Sequence, residues 1–371
     1  ARCPKCGSSD FAGETDVMDT WMDSSITAAV HAGWPDSFDE RLFPADLQPN
    51  GYDIIRTWDY YLLVRGMALF GKPQFRIALI NGMVRGTDGR MMHKSYGNYV
   101  SLMEVIERYG ADAFRLWAAL AAATGSDVRF SWEGVDFARR FLTKLWNAAR
   151  FVAMSLEGQD PRREVGEYGL LDLWIRARLS QVIERVTQRM EEFDFMGAAS
   201  ELVGFTWHIF CDHYLEAVKY RVGRDDGSGA AARRTLYEVL LKLLQMLSVF
   251  IPHISEEIYQ RMYAASTGWP SITVSPWPQP EAYDRSVVEA GEVVVRTIAA
   301  IRRAKSLSGL ALSEQIPRVV VFAPERYAEI LRKCSDDLSN TLRIAELELR
   351  QGKGEHSVPE YPEITFTIFS S

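Results

Sequence analysis

The sequence predicts a multidomain protein that combines an α/β region, a bundle of long helices and a small C-terminal α+β domain. Three observations predict this. Residues 1–100 are rich in Gly, Pro and short apolar runs, and they place an apolar segment, 75–80, after a helical pattern over 54–69. From Trp132 onward, long amphipathic patterns follow one another. A Pro-rich segment, 270–280, separates them from a last region of mixed pattern.

Composition and charge exclude several classes of protein. The chain has 371 residues, enough for two or three domains. Lys and Arg number 42 against 49 Asp and Glu, so a generally basic nucleic-acid coat is excluded, whereas a local basic site is not. No apolar stretch approaches the roughly 20 residues that cross a bilayer, so we expect no membrane partner. Four Cys are too few for a disulfide framework, which favours the cytoplasm.

The α/β region rests on a strand next to a helix. The strand over 75–80 is bounded by Gly71 and Pro73 before it and by Gly82 after it. The preceding helix is indicated by apolar residues at helical spacing, namely Ile54, Ile55, Trp58, Tyr61, Leu62 and Met67. A strand and a helix in this order are typical of an α/β unit.

The bundle is predicted from four stretches with apolar residues three or four positions apart: 138–152, 173–190, 196–220 and 233–250. The polar, Gly-rich segment 223–229 predicts a loop between the last two. Pro252 is expected to break the fourth helix, with a further turn starting at Ser255. Most of the Trp, Phe and Leu residues in these stretches are interpreted as core.

The last region reads as a small α+β domain. A helix is predicted over 287–307, a strand over 318–322 and a second helix over 327–334. Residues 364–369 alternate between apolar and polar positions, which predicts an edge strand.

Cys3 and Cys6 form half of a zinc knuckle, with Gly7 closing the turn. Zinc takes four ligands, and Cys211 and Cys334 both fall in helical patterns. A second pair would then lie upstream of Ala1. Together with the absence of an initiator Met, this predicts that the sequence is the C-terminal part of a longer protein. The alternative is two unpaired thiols in a surface turn.

Residues 81–98 (NGMVRGTDGRMMHKSYGN) carry the strongest functional signal. This segment follows the predicted strand, turns through glycines and presents Arg90, Lys94 and Ser95. Glycines let a backbone approach a phosphate while cations neutralise it. Seven Lys or Arg against two Asp between Arg56 and Lys94 make the region locally basic. The alternative for Lys94 is a solvated surface lysine.

The segment resembles the signature loop of class I aminoacyl-tRNA synthetases, Lys-Met-Ser-Lys-Ser followed by Leu-Gly-Asn. It matches at Met92, Lys94, Ser95, Gly97 and Asn98, and it departs at Met91 (Lys in the family), His93 (Ser) and Tyr96 (Leu). Segments that resemble other blocks of the Val/Ile/Leu subgroup, in the same order along the chain, are 16–25, 49–58, 144–150, 210–216 and 251–257. The resemblance covers about residues 3–277.

The resemblance implies the second half of a Rossmann-like nucleotide-binding fold that binds ATP with Mg²⁺. Lys94 matches the family's second, phosphate-contacting lysine and is the main catalytic candidate, with Ser95 beside it. Gly51 and Asp53 match a ribose-contacting pair, although Asp53 also suits a helix N-cap. The further ATP-binding candidates are Gly82, Met83, Val84 and Met92. Arg90 is a candidate to replace the cation that Met91 lacks, and His93 adds an imidazole, whose alternative is a solvent-facing side chain.

Three positions match the amino-acid pocket of the subgroup: Trp21, Ile54 and Trp58. Two indoles closed by a branched aliphatic form a small apolar pocket, which favours valine and the valine-specific members of archaeal type. A polar residue at position 54 would have favoured isoleucine. An isoleucine or leucine enzyme stays an alternative, and core packing is the rival interpretation of each residue. The family's His-x-Gly-His signature and editing domain do not occur in the sequence, so we expect the chain alone to be inactive.

The resemblance also implies binding of tRNA, specifically tRNA(Val), by a protein that we expect to be a monomer. The candidate contacts are Arg139, Arg140, Lys144 and Arg150, and a solvated helix face is the alternative. The predicted domains are 1–100 (catalytic, with the signature loop), 101–132 (linking segment that contacts the tRNA stem), 133–275 (anticodon-binding bundle) and 276–371 (α+β). A tRNA-binding paralogue without catalysis is the second hypothesis, which Met91 and His93 favour.

Overall fold

The computed structural model describes residues 2–162, 165–311 and 313–369, and it divides into two compact units. The first unit comprises residues up to 99 together with 122–130, and the second comprises 100–121 and the chain from 131 onward. Among the described residues, no helix is both long and apolar enough to cross a membrane. The finer division into four domains stays a prediction.

The first unit is built around a βαβ arrangement. Its elements are α1 (Thr20–Ser24), α2 (Thr27–His31), β1 (Ala45–Gly51), α3 (Tyr60–Phe70), β2 (Phe75–Asn81), β3 (Val84–Arg85) and β4 (Val128–Arg129). A 3-10 turn (Tyr52–Ile54) and a π-helical turn (Ile55–Asp59) lead from β1 into α3. β1 pairs in parallel with β2, and β3 pairs in parallel with β4. The predicted α/β unit, strand and helix are therefore confirmed.

Strand β1 was not predicted. The segment Ala45–Gly51 (ADLQPNG) has few β-branched residues and contains Pro49, which cannot donate a hydrogen bond to a neighbouring strand. Pro49 is nevertheless opposite Leu79 in the parallel ladder. Pairing with the apolar β2 therefore stabilises an extended conformation that the residues of β1 do not favour by themselves.

An aromatic core holds the first unit together before β1 and after α3. Phe43 is buried with Ala28 and Ala29 of α2, and three partly buried aromatic side chains pack against them, namely Trp34, Phe38 and Phe70. The Phe43 and Phe70 ring centroids lie 4.8 Å apart. This core packs the chain that leads into β1 against the end of α3.

The second unit contains the predicted bundle. Its helices are α4 (Leu102–Tyr109), α5 (Ala111–Ala121), α6 (Trp132–Ser155), α7 (Leu170–Glu191), α8 (Phe195–Gly204), α9 (Glu216–Val218), α10 (Gly227–Leu247), α11 (Pro252–Met262), α12 (Ala264–Thr267) and α13 (Arg285–Leu307). A π-helical segment, Phe205–Leu215, joins α8 to α9, so the predicted helix over 196–220 is continuous to Val218. The helices predicted over 138–152, 173–190, 233–250 and 287–307 are confirmed.

Two helix starts differ from the predictions. α10 begins at Gly227, inside the predicted loop, because Asp226 caps it by accepting a hydrogen bond from the Gly229 N–H at 2.9 Å. α11 begins at Pro252 itself, three residues before the predicted Ser255. Proline suits the first helical position, since the N–H that it lacks has no partner there.

The bundle packs around α7, which contacts α8, α10 and α13. Trp174 of α7 is fully buried, and its indole lies where Gly291 of α13 leaves room, because any Cβ at position 291 would overlap the ring. α6 packs against α5 and the π-helical segment. The interpretation of most large apolar residues as core is confirmed by the burial of residues such as Leu145 and Phe210.

The C-terminal part is α+β, with β5 (Ile316–Phe322), α14 (Glu325–Lys333), α15 (Ser335–Leu342), β6 (Ile344–Arg350), β7 (His356–Val358) and β8 (Tyr361–Phe369). The strand order is β6-β5-β8-β7. The prediction of an edge strand over 364–369 is wrong, because β8 pairs with both β5 and β7 and buries Ile364 and Phe366. α15, β6 and β7 were not predicted.

Candidate functional site

The carboxyl ends of β1 and β2 bring the nucleotide candidates of the first unit together. Gly51 is opposite Asn81 in the parallel ladder, and Gly82, Met83 and Val84 follow directly after β2. A Cβ at Gly51 would lie 3.4 Å from Met83 Sδ, so the two residues are neighbours. Ligands of parallel sheets bind in the crevice outside these strand ends.

Asp53 lies at this edge, but the alternative that it caps the helix is wrong. Gly51 occupies the N-cap position of the 3-10 turn, and Asp53 falls inside its first turn without capping it. A Cβ at Gly51 would lie 2.5 Å from Asp53 Oδ1, so any larger residue at position 51 would clash with the carboxylate in this position. Asp53 is exposed at the end of β1, as a ligand-facing carboxylate has to be.

Asp127 fixes the start of the loop that follows. Its Oδ1 accepts a hydrogen bond from the Met83 N–H (2.8 Å), and its Oδ2 accepts from Arg85 Nε (2.7 Å) and from the Tyr52 hydroxyl (3.3 Å). The Met83 N–H and then the Arg85 guanidinium lower the pKa of Asp127. Asp127 was not among the predicted site residues, because it lies in the segment 101–132 that we predicted to link two domains.

We predict that Gly82→Ala destabilises the first unit. A Cβ at position 82 would overlap the backbone carbonyl of Ser126, so one of these two backbone segments would have to move. Overpacking of this kind typically costs about 1–3 kcal/mol. Urea unfolding checks this, with Gly89→Ala as the control, since a Cβ at position 89 meets open space and only its left-handed backbone (φ +79°) resists the change. A Gly82→Ala protein as stable as the wild type would contradict the packing.

Asn98 closes the signature loop. This buried side chain donates from Nδ2 to Asp88 Oδ1 (3.1 Å) and to the Met91 carbonyl (3.0 Å), and its Oδ1 accepts from the His93 N–H (2.9 Å). Asp88 also accepts from the backbone and side chain of Arg90. The Arg90 N–H, the Asn98 amide and the Arg90 side chain lower the pKa of Asp88 to about 2.

Lys94 is presented at the tip of this closed loop. It begins a 3-10 turn, Lys94–Tyr96, and its exposed Nζ lies 5.6 Å from the Tyr99 ring centroid. Arg85 and Arg90 are each paired with an aspartate, whereas no acidic side chain of the described residues forms an ion pair with Lys94. A cation without an internal counter-ion is available for a phosphate. Ser95 and half-buried Met92 lie on either side in the same loop.

The structure brings two of the three pocket candidates to neighbouring elements. The Trp58 indole N–H donates to the carbonyl of Ser24 at the end of α1 (3.1 Å), and Trp21 of α1 packs edge-to-face with Tyr61, 6.2 Å between ring centroids. Ile54 is half-buried in the 3-10 turn that precedes Trp58. The assignment of these side chains to an amino-acid pocket stays a prediction.

Cys3 and Cys6 lie in a tight turn closed by hydrogen bonds from Gly7 N–H to the Cys3 carbonyl and from Cys3 N–H to the Ser8 carbonyl, both 2.8 Å. Backbone N–H groups of Cys6 and Lys5 lower the pKa of Cys3, which favours the thiolate that metals bind. Within the described ranges, no three or more Cys, His, Asp or Glu side chains cluster as a metal site. The remaining cysteines are buried, which raises the pKa of Cys211 and of Cys334 to about 12 each.

The four cations proposed to contact tRNA lie on α6 but do not share one environment. Arg139 donates to the Arg108 carbonyl (3.2 Å), Arg140 pairs with Asp136 (3.1 Å), and Lys144 pairs with Asp212. Lys144 Nζ also lies 4.9 Å from the Trp207 ring centroid. Arg150 is exposed beside an apolar groove next to Trp146.

A cleft of about 630 Å³ opens beside Lys144, between the bundle and the C-terminal α+β part. Its lining includes four cations and two carboxylates, namely Lys219, Arg302, Lys305, Arg343, Asp212 and Glu216. Lys219 Nζ lies 5.7 Å from the Phe151 ring centroid. Cations combined with aromatic rings suit the phosphates and unstacked bases of single-stranded RNA loops. The cleft was not foreseen, since residues from the π-helical segment, α13 and α15 build it.

Two protein-family models match separate parts of the chain. Residues 2–131 match the model of class I tRNA synthetases (I, L, M and V), and residues 172–321 match the anticodon-binding domain of tRNA ligase. The first match contains the signature loop, and the second contains most of the bundle. The chain belongs to the class I tRNA synthetases.

Similar curated proteins are archaeal valine–tRNA ligases. The chain is 42% identical to that of Methanothermobacter thermautotrophicus over 355 residues, which cover 95% of the chain and 39% of the relative. It is 41% identical to that of Thermococcus kodakarensis over 353 residues, with 92% and 40% covered. The chain therefore spans about two fifths of the length of these relatives, in agreement with the predicted part of a longer protein.

Solved structures of the same class share the fold. The LeuRS–tRNA–LeuAMS ternary complex of Agrobacterium radiobacter K84 matches with a TM-score of 0.60 and 25% identity, over 78% of this chain and 35% of that one. Methionyl-tRNA synthetase of Mycobacterium tuberculosis in complex with methionyl-adenylate matches with a TM-score of 0.52 and 22% identity, over 71% and 54%. The predicted class I fold is confirmed.

Proposed function

We propose that this chain is part of an enzyme that activates valine with ATP and then transfers it to tRNA(Val). The observation that carries the proposal is Lys94, a cation without an acidic partner among the described residues, on a loop that Asn98 closes. The similar valine–tRNA ligases support the choice of amino acid. The signature loop would serve the first step, and the bundle would bind the tRNA.

In the first step, the carboxylate of valine attacks the α-phosphorus of ATP, and the bond to the bridging oxygen of pyrophosphate breaks. Negative charge grows on the leaving pyrophosphate, and a positioned ammonium stabilises it. Lys94 would supply this charge, together with the Mg²⁺ that accompanies ATP. Gly51 would let the ribose lie close to the backbone, and the Asp53 carboxylate would accept hydrogen bonds from the ribose hydroxyls. In the second step, a terminal ribose hydroxyl of the tRNA attacks the acyl carbon and AMP leaves.

Valine selection would rest on Trp21, Ile54 and Trp58. An apolar pocket of this kind distinguishes aliphatic side chains by about 1–3 kcal/mol for each methylene. The half-buried state of all three side chains leaves them accessible to a small ligand.

Zinc would be held by Cys3 and Cys6 with two further ligands from elsewhere in the full-length protein. The two hydrogen bonds that close the turn and the lowered pKa of Cys3 fit a pair of thiolate ligands. The metal would fix the chain that precedes α1. A cytoplasmic location and a monomeric state are further parts of this proposal.

The direct test is ATP–pyrophosphate exchange by the full-length protein with valine, isoleucine and leucine. We expect exchange with valine at a higher kcat/KM than with isoleucine or leucine. Exchange that depends on another amino acid would replace valine in the proposal. A protein that binds tRNA but shows no exchange would support the tRNA-binding paralogue instead.

The isolated chain is expected to be inactive in the same assay. Parallel sheets are normally covered on both faces, yet β2 leaves Ile77 exposed and α3 leaves Tyr60 and Met67 more than half exposed. These apolar side chains fit a contact with the rest of the catalytic domain. Valine-dependent exchange by the isolated chain would contradict this part of the proposal.

We predict that Arg140→Glu combined with Lys144→Glu lowers the affinity of the full-length protein for tRNA(Val) about tenfold or more at physiological salt. The two reversals replace positive charge on α6 with carboxylates that would repel RNA phosphates, and Lys144 pairs with Asp212 of the cleft lining. Filter binding measures the effect. The control is Arg326→Glu with Arg332→Glu on α14, two exposed arginines away from the cleft lining. Unchanged affinity in the first variant would remove this surface from the proposal.

A further inference from the structure

The signature loop of this chain lacks a cation that the resemblance leads one to expect. Met91 stands at the first lysine position, and its side chain is 43% exposed. A thioether carries no charge and donates no hydrogen bond, so Met91 cannot neutralise a phosphate.

Arg90 precedes Met91 in the sequence, but its side chain already contacts Asp88 and Tyr96. Its guanidinium pairs with Asp88 at 2.8 Å and lies 5.7 Å from the Tyr96 ring centroid. Asp88 is in turn tied to Asn98. Moving Arg90 to a phosphate would break this arrangement, which disfavours the sequence-based suggestion that Arg90 replaces the missing lysine.

His93 is placed differently. Its backbone N–H donates to Asn98 Oδ1 (2.9 Å), so the backbone of His93 is held by the side chain that closes the loop. Its imidazole Nδ1 lies 2.7 Å from Ser95 Oγ, and its ring centroid lies 5.2 Å from that of Tyr96. The side chain is exposed next to Lys94, and no described residue forms a hydrogen bond with its Nε2.

We propose that His93 is a second phosphate-contacting residue of this loop, which binds the triphosphate of ATP together with Lys94 in place of the cation that Met91 lacks. This inference rests on the proposed function. Nδ1 is held by Ser95, so Nε2 is the donor left for a phosphate oxygen. A protonated imidazole carries a positive charge, which would add to that of Lys94.

The groups around the imidazole are compatible with this role. Ser95, Tyr96 and the Asn98 amide contact His93, and none of the three is a carboxylate. Besides His93, the charged groups of the loop are Lys94, Arg90, Asp88 and Arg85. Arg90 pairs with Asp88, and Arg85 pairs with Asp127. A bound triphosphate would bring negatively charged oxygens, to which Nε2 can donate a hydrogen bond.

The test is the affinity of the full-length protein for ATP, measured by calorimetry at about pH 6 and about pH 8.5. We expect His93→Ser to weaken binding about tenfold at the lower pH, the usual size of a hydrogen bond to a charged group, and only slightly at the higher pH. Adding Met91→Lys to His93→Ser should restore the affinity at both pH values. The γ-phosphate titrates in this range for every variant, so the difference between proteins is the readout.

Equal affinities of the wild type and His93→Ser at both pH values would overturn the inference. A loss of the same size at both pH values would also overturn it, because an uncharged role would then suffice. His93→Gln, which keeps a side-chain donor without the charge, should behave like His93→Ser. If ATP binding depends on His93 but the protein shows no valine-dependent exchange, the proposed function is wrong and this inference stands. If valine-dependent exchange occurs and is the same with and without His93, this inference is wrong and the proposed function stands.

Discussion

Replacing Lys94 with alanine is expected to lower the kcat of valine-dependent ATP–pyrophosphate exchange by the full-length protein by about 10²–10³-fold. Removal of one positioned group that stabilises transition-state charge typically costs this much. Lys94 has no acidic partner among the described residues, so its loss should leave the fold intact. Because the charge develops mainly as pyrophosphate leaves, kcat should fall more than the KM for valine rises.

Lys72→Ala is the matched control, since the same side chain in the same unit lies over the Phe43 ring, 5.2 Å from its centroid, and contacts no part of the loop. Its exchange rate should stay within a factor of a few of the wild type. A Lys94→Ala protein with equal activity would show that the ammonium takes no part in the reaction.

The second large effect concerns stability of the bundle. Arg221→Met should lower the free energy of unfolding by about 3–5 kcal/mol, the usual result of leaving a buried charge unpaired. Asp172 is fully buried, and Arg221 NH2 donates to its Oδ2 at 2.6 Å. Burial, the largest single influence, acts to lower the pKa of Arg221, but the charge and hydrogen bonds of Asp172 together with Tyr214 and Asp337 outweigh it, and the pKa is raised. The Tyr214 hydroxyl also donates to Asp172, at 2.7 Å.

Urea unfolding of the chain measures this effect. Arg224→Met is the control, because its ion pair with Asp226 is nearly half exposed and such pairs contribute about 0–1 kcal/mol. Adding Asp172→Asn to Arg221→Met should recover part of the loss, since no buried charge then stays unpaired. An Arg221→Met protein as stable as the control would mean that the pair is not buried in solution.

The spacing of apolar residues along the chain correctly predicted the long helices and one strand. The apolar run of β2 and the helical spacing of α6, α7 and α13 agree with the structure, because burial of one face sets that spacing. β1 was missed because a sequence with Pro49 becomes a strand only by pairing with β2. β8 was misplaced at an edge, because alternation shows which side chains are buried and not how many neighbours the strand has.

For the candidate site too, residues of one contiguous motif were predicted, and residues from distant segments were not. Residues within one motif, such as Lys94 and its loop, were found because a motif is contiguous in sequence. Asp127 was missed because it reaches Met83 and Arg85 from more than 40 residues further along the chain, and only the β3–β4 pairing brings them together. The contacts of α6 were also beyond prediction, since Arg139 and Lys144 are held by partners on different elements.

The position of Lys94 is best tested by a crystal structure of the full-length protein with ATP and without valine, so that the triphosphate stays intact. We expect Lys94 Nζ to lie within hydrogen-bond distance, about 2.7–3.2 Å, of a β- or γ-phosphate oxygen. We also expect the adenosine ribose to lie against Gly51 and Asp53. A bound triphosphate that leaves Lys94 in solvent, far from any phosphate, would contradict the proposed role of Lys94.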